Sequence, residues 1–343
     1  MELGIVSAFL MMFEFEEGLR FAHDLGLRHI EVGACGIAAK KYCDLDRLLA
    51  EKDVLHRWVD TYSRHDLEIC ALAGHGAPLS PDKKIADEYR RQFRQACELS
   101  ERIGVKRMTL VAGLPEGADG DKCPVWITQQ TDVPFYRDTL DWQWEKRLIP
   151  YWKEQGKIAE DHGITLCFEM QVGDMIHNPV KLKRLREEVG AVIACNFDIS
   201  HMWAQGMDPI AALRYLGNLV KHVHIKDTLI HEHNMKVHGF NDTTSPSSHP
   251  ELRSWSFALP GWGHDERTWR EVIATLRLIG YDGVLSVEME CEYISIKEGL
   301  EKSVAFLKPI VLREPTGARW WEVAEFRELW GQTKTDGKDS TTS

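Results

Sequence analysis

In DHGITLCFEM, residues 161–170, a polar helix end runs into Gly163 and then into a short apolar stretch that stops at Glu169. Glycine supplies the left-handed residue that closes a helix before a strand begins. The apolar run that follows has the length of a buried strand rather than a helix. The same joint recurs in DLGLRHIEV at 24–32, ERIGVKRMTLV at 101–111 and LIGYDGVLSVE at 278–288. Working outward from these joints, eight β-branched apolar runs are predicted as strands: 3–7, 29–32, 68–72, 107–111, 165–169, 192–198, 220–226 and 284–288. Stretches with 3.6-residue apolar periodicity lie between them, at 15–25, 46–62, 85–103, 144–161, 269–279 and 299–307. Strands alternating with helices predict a parallel sheet. Eight such units predict a closed (β/α)8 TIM barrel. The competing arrangement, an open doubly wound sheet, usually carries a glycine-rich phosphate loop after its first strand, and none is present here.

The 343 residues fit one catalytic barrel domain at 1–312, a C-terminal helical extension at 313–332 and a polar tail at 333–343 expected to be disordered. Within the extension, ARWWEVAEFRELW at 318–330 reads as one extra amphipathic helix, closing the barrel or meeting a partner. Residues 113–141 and 228–265 are too long for plain connectors and are expected to be long catalytic-face loops, since both follow a strand directly. Hydrophobic residues at 43% and charged residues at 28% suffice for a sizeable core. A net charge of −11, spread along the chain, argues against gripping nucleic acid and favours a small polar substrate. The opening MELGIVSAFLMMFEFEEGL lacks a basic start and is interrupted by Glu14, Glu16 and Glu17, so no membrane span and a cytoplasmic location are expected. The eight cysteines are scattered without a CxxC pair and read as reduced, mostly buried thiols.

Barrel enzymes place their chemistry at the C-terminal ends of the strands. Strand five ends in Glu169, and a carboxylate at the end of a buried strand is costly unless something neutralises it. Strand six ends in Asp198, with His201 three residues on; His222 and His224 share one face of strand seven, as Glu288 and Glu290 do in strand eight. Three carboxylates and an imidazole delivered to one rim make a hard-to-borderline donor set, suited to one divalent ion such as Mn²⁺, Mg²⁺, Co²⁺ or Zn²⁺.

FEMQ at 168–171, HNP at 177–179, NFDISHMWAQGMDP at 196–209, HVHIKDT at 222–228, PGWGHDERTW at 260–269 and GYDGVLSVEMECEYIS at 280–295 with EGLEKSVAFL at 298–307 resemble the sugar phosphate isomerase/epimerase family of xylose-isomerase-like barrels. The resemblance runs from the start of the chain to about residue 310. It implies Glu169, Asp198, His224 and Glu288 as ligands of one divalent metal, Mn²⁺ being favoured, with Glu169 and Glu288 as the catalytic acid/base pair. It further implies His75, His201, Gln171, Asn178, Lys226 and Glu290 as substrate-binding residues. Two departures stand out: many relatives carry His where this chain has Gln171, and continue strand eight as EHED rather than EMECE. The implied activity is a sugar isomerase or epimerase working by proton abstraction beside a metal-polarised carbonyl of a keto-sugar or related polyol. A 3-keto-glycoside lyase or deglycosidase with a small partner subunit is the alternative, and Trp126, Trp142, Trp144, Trp255 and Trp262 would suit its aglycone. An apurinic-site endonuclease is remote because the charge is wrong for DNA, and retention of all four ligand positions argues against a non-catalytic module. The expected partner is a small carbohydrate, with a homo-oligomer or small second subunit left open.

Overall fold

Each of the eight apolar runs becomes a parallel strand, at Glu2–Val6, His29–Gly33, Glu68–Ala73, Arg107–Leu110, Thr165–Glu169, Ile193–Asp198, Val220–Ile225 and Val284–Val287. Every strand pairs with its sequence neighbours, and the first pairs with the eighth from Glu2↔Val284 to Ile5↔Val287, so the sheet closes into a barrel. This computed structural model describes residues 1–36, 39–241, 243 and 248–330; the tail from 331 lies outside the described residues. No helix among them is long and apolar enough to cross a membrane. Gly163 takes φ 66° at the joint that ends Ile149–Asp161, the conformation that glycine reaches without a Cβ clash. Before strand three, Asp66 takes the same role at φ 54°, which a short polar side chain tolerates.

Helices differ from the sequence expectation where local chemistry intervenes. The stretch expected as one helix at 144–161 is the second part of a longer run: Pro134–Gln143, a π-helical turn at Trp144–Leu148, then Ile149–Asp161. Pro150 has no N–H to give the turn before it, and the wider turn, with Ile149 N donating to Trp144 O, accommodates it. The stretch at 46–62 splits into Leu45–Ala50 and Lys52–Arg64 at the extended Glu51. The single helix expected at 318–330 is divided by extended Val323 into a 3₁₀ turn at Trp320–Glu322 and a short helix at Ala324–Leu329, with Trp320, Trp321 and Trp330 exposed. The second long loop carries regular structure among its described residues: Asp227–Ile230 and Trp255–Ala258 form an antiparallel ribbon.

Barrel interiors are usually filled by branched apolar side chains. This one also carries a polar layer, Glu31, Thr109, Asn196, His222 and Ser286, all fully buried. Around the barrel the core is aromatic: Trp152 is fully buried against Phe93 and Phe168 while its indole N–H donates to Ala112 O at 3.0 Å. Of the eight cysteines, seven are buried, Cys123 is exposed, and none is paired.

Asp174 ties the first long loop to the turn after strand five, accepting from Gly113 N at 2.8 Å and Ile176 N at 2.9 Å. Burial pushes its carboxyl up to about 7, although the amides of Ile176, Gly113 and Ala112 favour the charged form. The folded chain therefore holds this proton from about pH 4 to about pH 7, where the unfolded chain has released it, and the group removes stability as pH rises through that window. Asp174→Asn is expected to gain stability relative to the parent as pH increases across that range, measured by urea unfolding midpoints. An offset independent of pH would contradict it.

Candidate metal and substrate site

Strand geometry brings the acidic strand ends to one rim. Asp198 lies directly across from His224 in the ladder between strands six and seven, His224 lies across from Ser286 in strand eight, and Glu169 lies across from Asn196. Glu288 follows strand eight immediately, its amide donating to Ile225 O at 3.1 Å.

His224 Nδ1 stands 3.0 Å from Glu169 Oε2 and 3.3 Å from Glu288 Oε1. His201 Nε2 stands 3.0 Å from Glu169 Oε1 and 3.5 Å from Asp198 Oδ2. The four residues expected as ligands, joined by His201, thus fall into two overlapping trios, Glu169–His224–Glu288 and Glu169–Asp198–His201, sharing Glu169. Between them sits the ammonium of Lys226, 2.8 Å from Glu288 Oε2, 2.8 Å from Glu290 Oε2 and 3.1 Å from Asp198 Oδ2. Asp198 Oδ1 is already occupied, accepting from Ser200 N and Oγ as the N-cap of Ile199–Ala204.

Electrostatics separates the two central glutamates. Burial would raise Glu169, but hydrogen bonds from His201, His224 and His75 outweigh it and hold the carboxyl well below its usual range. Burial raises Glu288 and prevails over the attraction of His224 and Lys226. Burial opposes charge on His224 and Lys226 too, yet the carboxylates around each raise both well above their ordinary values. The metal-free site is therefore held together by protons: an imidazolium and an ammonium spread among carboxylates.

A divalent ion fits this donor set. Ligating histidine must be deprotonated, so an ion would take the place of the proton on His224 Nδ1 and supply more of the positive charge that the acids demand. Asp198 Oδ2 is buried and accepts no hydrogen bond, the Lys226 ammonium beside it being poorly aligned for one; it is a lone pair available to a cation.

A cavity of about 320 Å³ opens over these groups, lined by His75, Glu169, Gln171, His201, Lys226, Glu288 and Glu290. Asp198 and His224 lie beneath it, and Phe257 of the ribbon roofs it, 4.3 Å from Lys226 Nζ and edge-on to His201. Of the residues expected to bind substrate, only Asn178 stands apart. It caps Pro179–Val189 through Lys181 N at 3.0 Å and lines a neighbouring cavity of about 520 Å³ with Trp126, Arg137, His177, Lys181 and Gln205. Trp144 is fully buried beneath the Arg184 guanidinium, a packing role.

Glu31, Thr109, Asn196 and His222 also belong to this region, without a sequence signal that places them there. Glu31 is as anomalous in RHIEVG as Glu169 is in ITLCFEM, but its mid-strand position hides which way it points.

A model of the family described as xylose isomerase-like TIM barrel matches residues 19–310. The chain is 34% identical over 313 residues to the uncharacterised protein YfiH of Bacillus subtilis (strain 168), covering 91% of this chain and 99% of that one. It is 24% identical over 163 residues to inosose dehydratase of Bacillus thuringiensis (strain Al Hakam), covering 46% of this chain and 52% of the dehydratase. Among solved structures, an IolI protein holding a zinc atom matches with a TM-score of 0.61 at 17% identity, over 91% of this chain and 98% of that one, a likeness of fold.

Lys226→Met leaves Asp198, Glu288 and Glu290 without their ammonium. The metal-free variant is expected to lose about 3–5 kcal/mol of stability, and added Zn²⁺ or Mn²⁺ is expected to raise its melting temperature more than the parent's. Equal metal-free melting temperatures would show that Lys226 is not the counterion.

Proposed function

The chain belongs to the xylose isomerase-like TIM barrel family, and on that premise we propose that it is a divalent-metal-dependent enzyme that moves a proton at the carbon beside a carbonyl of a keto-sugar or related polyol, with isomerisation or epimerisation as the outcome. The observation that carries this reading is the pair Glu169 and Glu288, two carboxyls on either side of His224 Nδ1 and both open to one cavity.

Glu169 with His224 and Glu288 would hold the ion, Asp198 joining from the trio that shares Glu169, and the oxygen-rich set favours Mn²⁺, with Zn²⁺ supported by the zinc in the similar IolI fold. The chemistry supplied by such an ion, when bound, is Lewis-acid polarisation of the substrate carbonyl. Glu169, within hydrogen-bond reach of the His201 and His75 rings, accepts the proton from carbon. Glu288, on the other side of His224 Nδ1 and open to the same cavity, returns a proton from the opposite face. Lys226 Nζ and His201 Nε2 are the donors placed to meet substrate oxygens; His75, Gln171 and Glu290 complete the wall. Gln171 cannot carry a proton, so the imidazole that many relatives place there finds its counterpart in His75 or His201. Phe257 above Lys226 keeps water from the reacting end.

The likeness to inosose dehydratase favours a second reading on the same site. There Glu169 removes the proton, a hydroxyl or an aglycone leaves from the next carbon, and His201 or Lys226 protonates it. Enzymes of this family act on small carbohydrates, and the net charge of −11 sets DNA apart as a substrate.

Incubation in D₂O with Mn²⁺ over a panel of ketoses, inososes and 3-keto-glycosides tests both. Deuterium gained with the carbon skeleton and its substituents intact selects isomerase or epimerase, whereas release of water or aglycone selects the lyase. Glu169→Gln is expected to lower turnover by about two to four orders of magnitude while circular dichroism stays that of the parent. A fully active Glu169→Gln protein, or no exchange and no elimination with any substrate of the panel, would overturn the proposal.

A further inference from the structure

His224 uses both of its ring nitrogens. Nδ1 faces Glu169 and Glu288, while Nε2 faces inward, 3.0 Å and 3.1 Å from the two oxygens of Glu31. Glu31 is fully buried on the second strand, on the opposite side of the barrel from strands five and six. Its carboxylate also accepts from His222 Nε2 at 2.7 Å and from the Thr109 hydroxyl, and His222 Nε2 lies 3.0 Å from Ser286 Oγ. Three donors thus converge on one carboxylate, which an ionised Glu can satisfy and an amide cannot.

The backbone is shaped to this end. Between Ile30 and Glu31 the pairing with strand three slips by one residue, and between Cys195 and Asn196 the pairing with strand seven slips likewise. Such irregularities re-aim side chains, since a slip of one residue exchanges the faces of a strand. Here they fall beside two members of the buried polar layer, Glu31 and Asn196, and Asn196 Nδ2 reaches Glu169 Oε2 at 3.2 Å. Glu31, Thr109 and His222 do not line the cavity. Glu31 is fully buried away from the cavity, and its link to the site runs through His224.

We propose that Glu31 is a positioning residue for the metal site: it accepts the Nε2 proton of His224, fixes that tautomer, and so leaves Nδ1 as the basic nitrogen presented to a divalent ion. His222, Thr109 and Ser286 hold Glu31 in place for this task. A carboxylate behind a ligating histidine orients the ring and raises its basicity. The inference rests on the metal-site reading above.

Isothermal titration of the metal-free protein with Zn²⁺ and with Mn²⁺ tests it, with Glu169→Gln as a control that strikes the site directly. Glu31→Gln is expected to weaken binding of either ion about 10–100-fold while remaining folded by circular dichroism. Affinity within about twofold of the parent in a folded Glu31→Gln protein would overturn the proposal, since a purely structural role predicts altered melting without altered affinity. A second measurement needs no variant: ¹⁵N-histidine correlation spectra of the Zn²⁺-loaded parent should show His224 protonated at Nε2. A proton on Nδ1 instead would also overturn it, whether or not Glu31→Gln folds. A parent that takes up neither ion would remove the metal-site reading and this inference together, whereas a parent that binds and a Glu31→Gln variant that binds equally would remove this inference alone.

Discussion

Negative charge gathered at the rim of the barrel is the constraint around which the rest of this molecule is arranged. Glu169, Asp198 and Glu288 are buried at the ends of strands five, six and eight, with Glu290 at the edge of the same cavity and Glu31 below. Carboxylates so placed lose their hydration and repel one another, and each must be answered by a donor or a cation. Lys226 answers three of them at once, and His224 answers three more contacts through its two nitrogens. The result is a site whose geometry is over-determined before any ion or substrate arrives, as catalytic chemistry requires of its donors.

Keeping that rim rigid shapes the barrel beneath it. A polar layer inside a closed barrel is costly unless its members pair, and Glu31, Thr109, His222, His224 and Ser286 do so through hydrogen bonds to one another. The apolar burden passes to the helices outside, where Trp144, Trp152 and Trp269 are fully buried. Trp152 and Trp269 also anchor the loops, donating to Ala112 O and Asp227 Oδ2 respectively.

Asp227 governs the covering loop. Its carboxylate accepts from the amides of Thr228, Gly261, Gly263 and His264 and from the ring of His264, so the PGWGH turn is folded around one buried charge. A Cβ at Gly263 would stand 2.0 Å from Thr228 O, which is why the turn closes only with glycine there. With both ends fixed, the ribbon Asp227–Ile230 and Trp255–Ala258 sets Phe257 above Lys226. The neighbouring cavity at Trp126 and Asn178 joins this site through Gln205, whose amide spans the carbonyls of His177 and His201.

The eight strands, the closed barrel and the rim position of Glu169, Asp198, His224 and Glu288 were legible along the chain, because strand period and glycine joints are local signals and strand ends mark one face of a barrel. Loop residues such as Asn178 were harder: a short motif gives a position along the chain but not which of two adjacent cavities it faces. The ribbon in the second long loop and the π turn before Pro150 have no local signature, because one depends on pairing across a long insertion and the other on a hydrogen bond lost to proline. Glu31 was beyond reach for a different reason. An acid in the middle of an apolar strand points to the barrel axis or to the helices according to register, and register here is set by a slip against strand three that no single segment encodes. Sequence alone determined which residues could carry charge at the rim; only closure of the barrel decided that Glu31, distant in the chain, would stand behind His224, since that contact exists only once strands far apart in sequence share one interior.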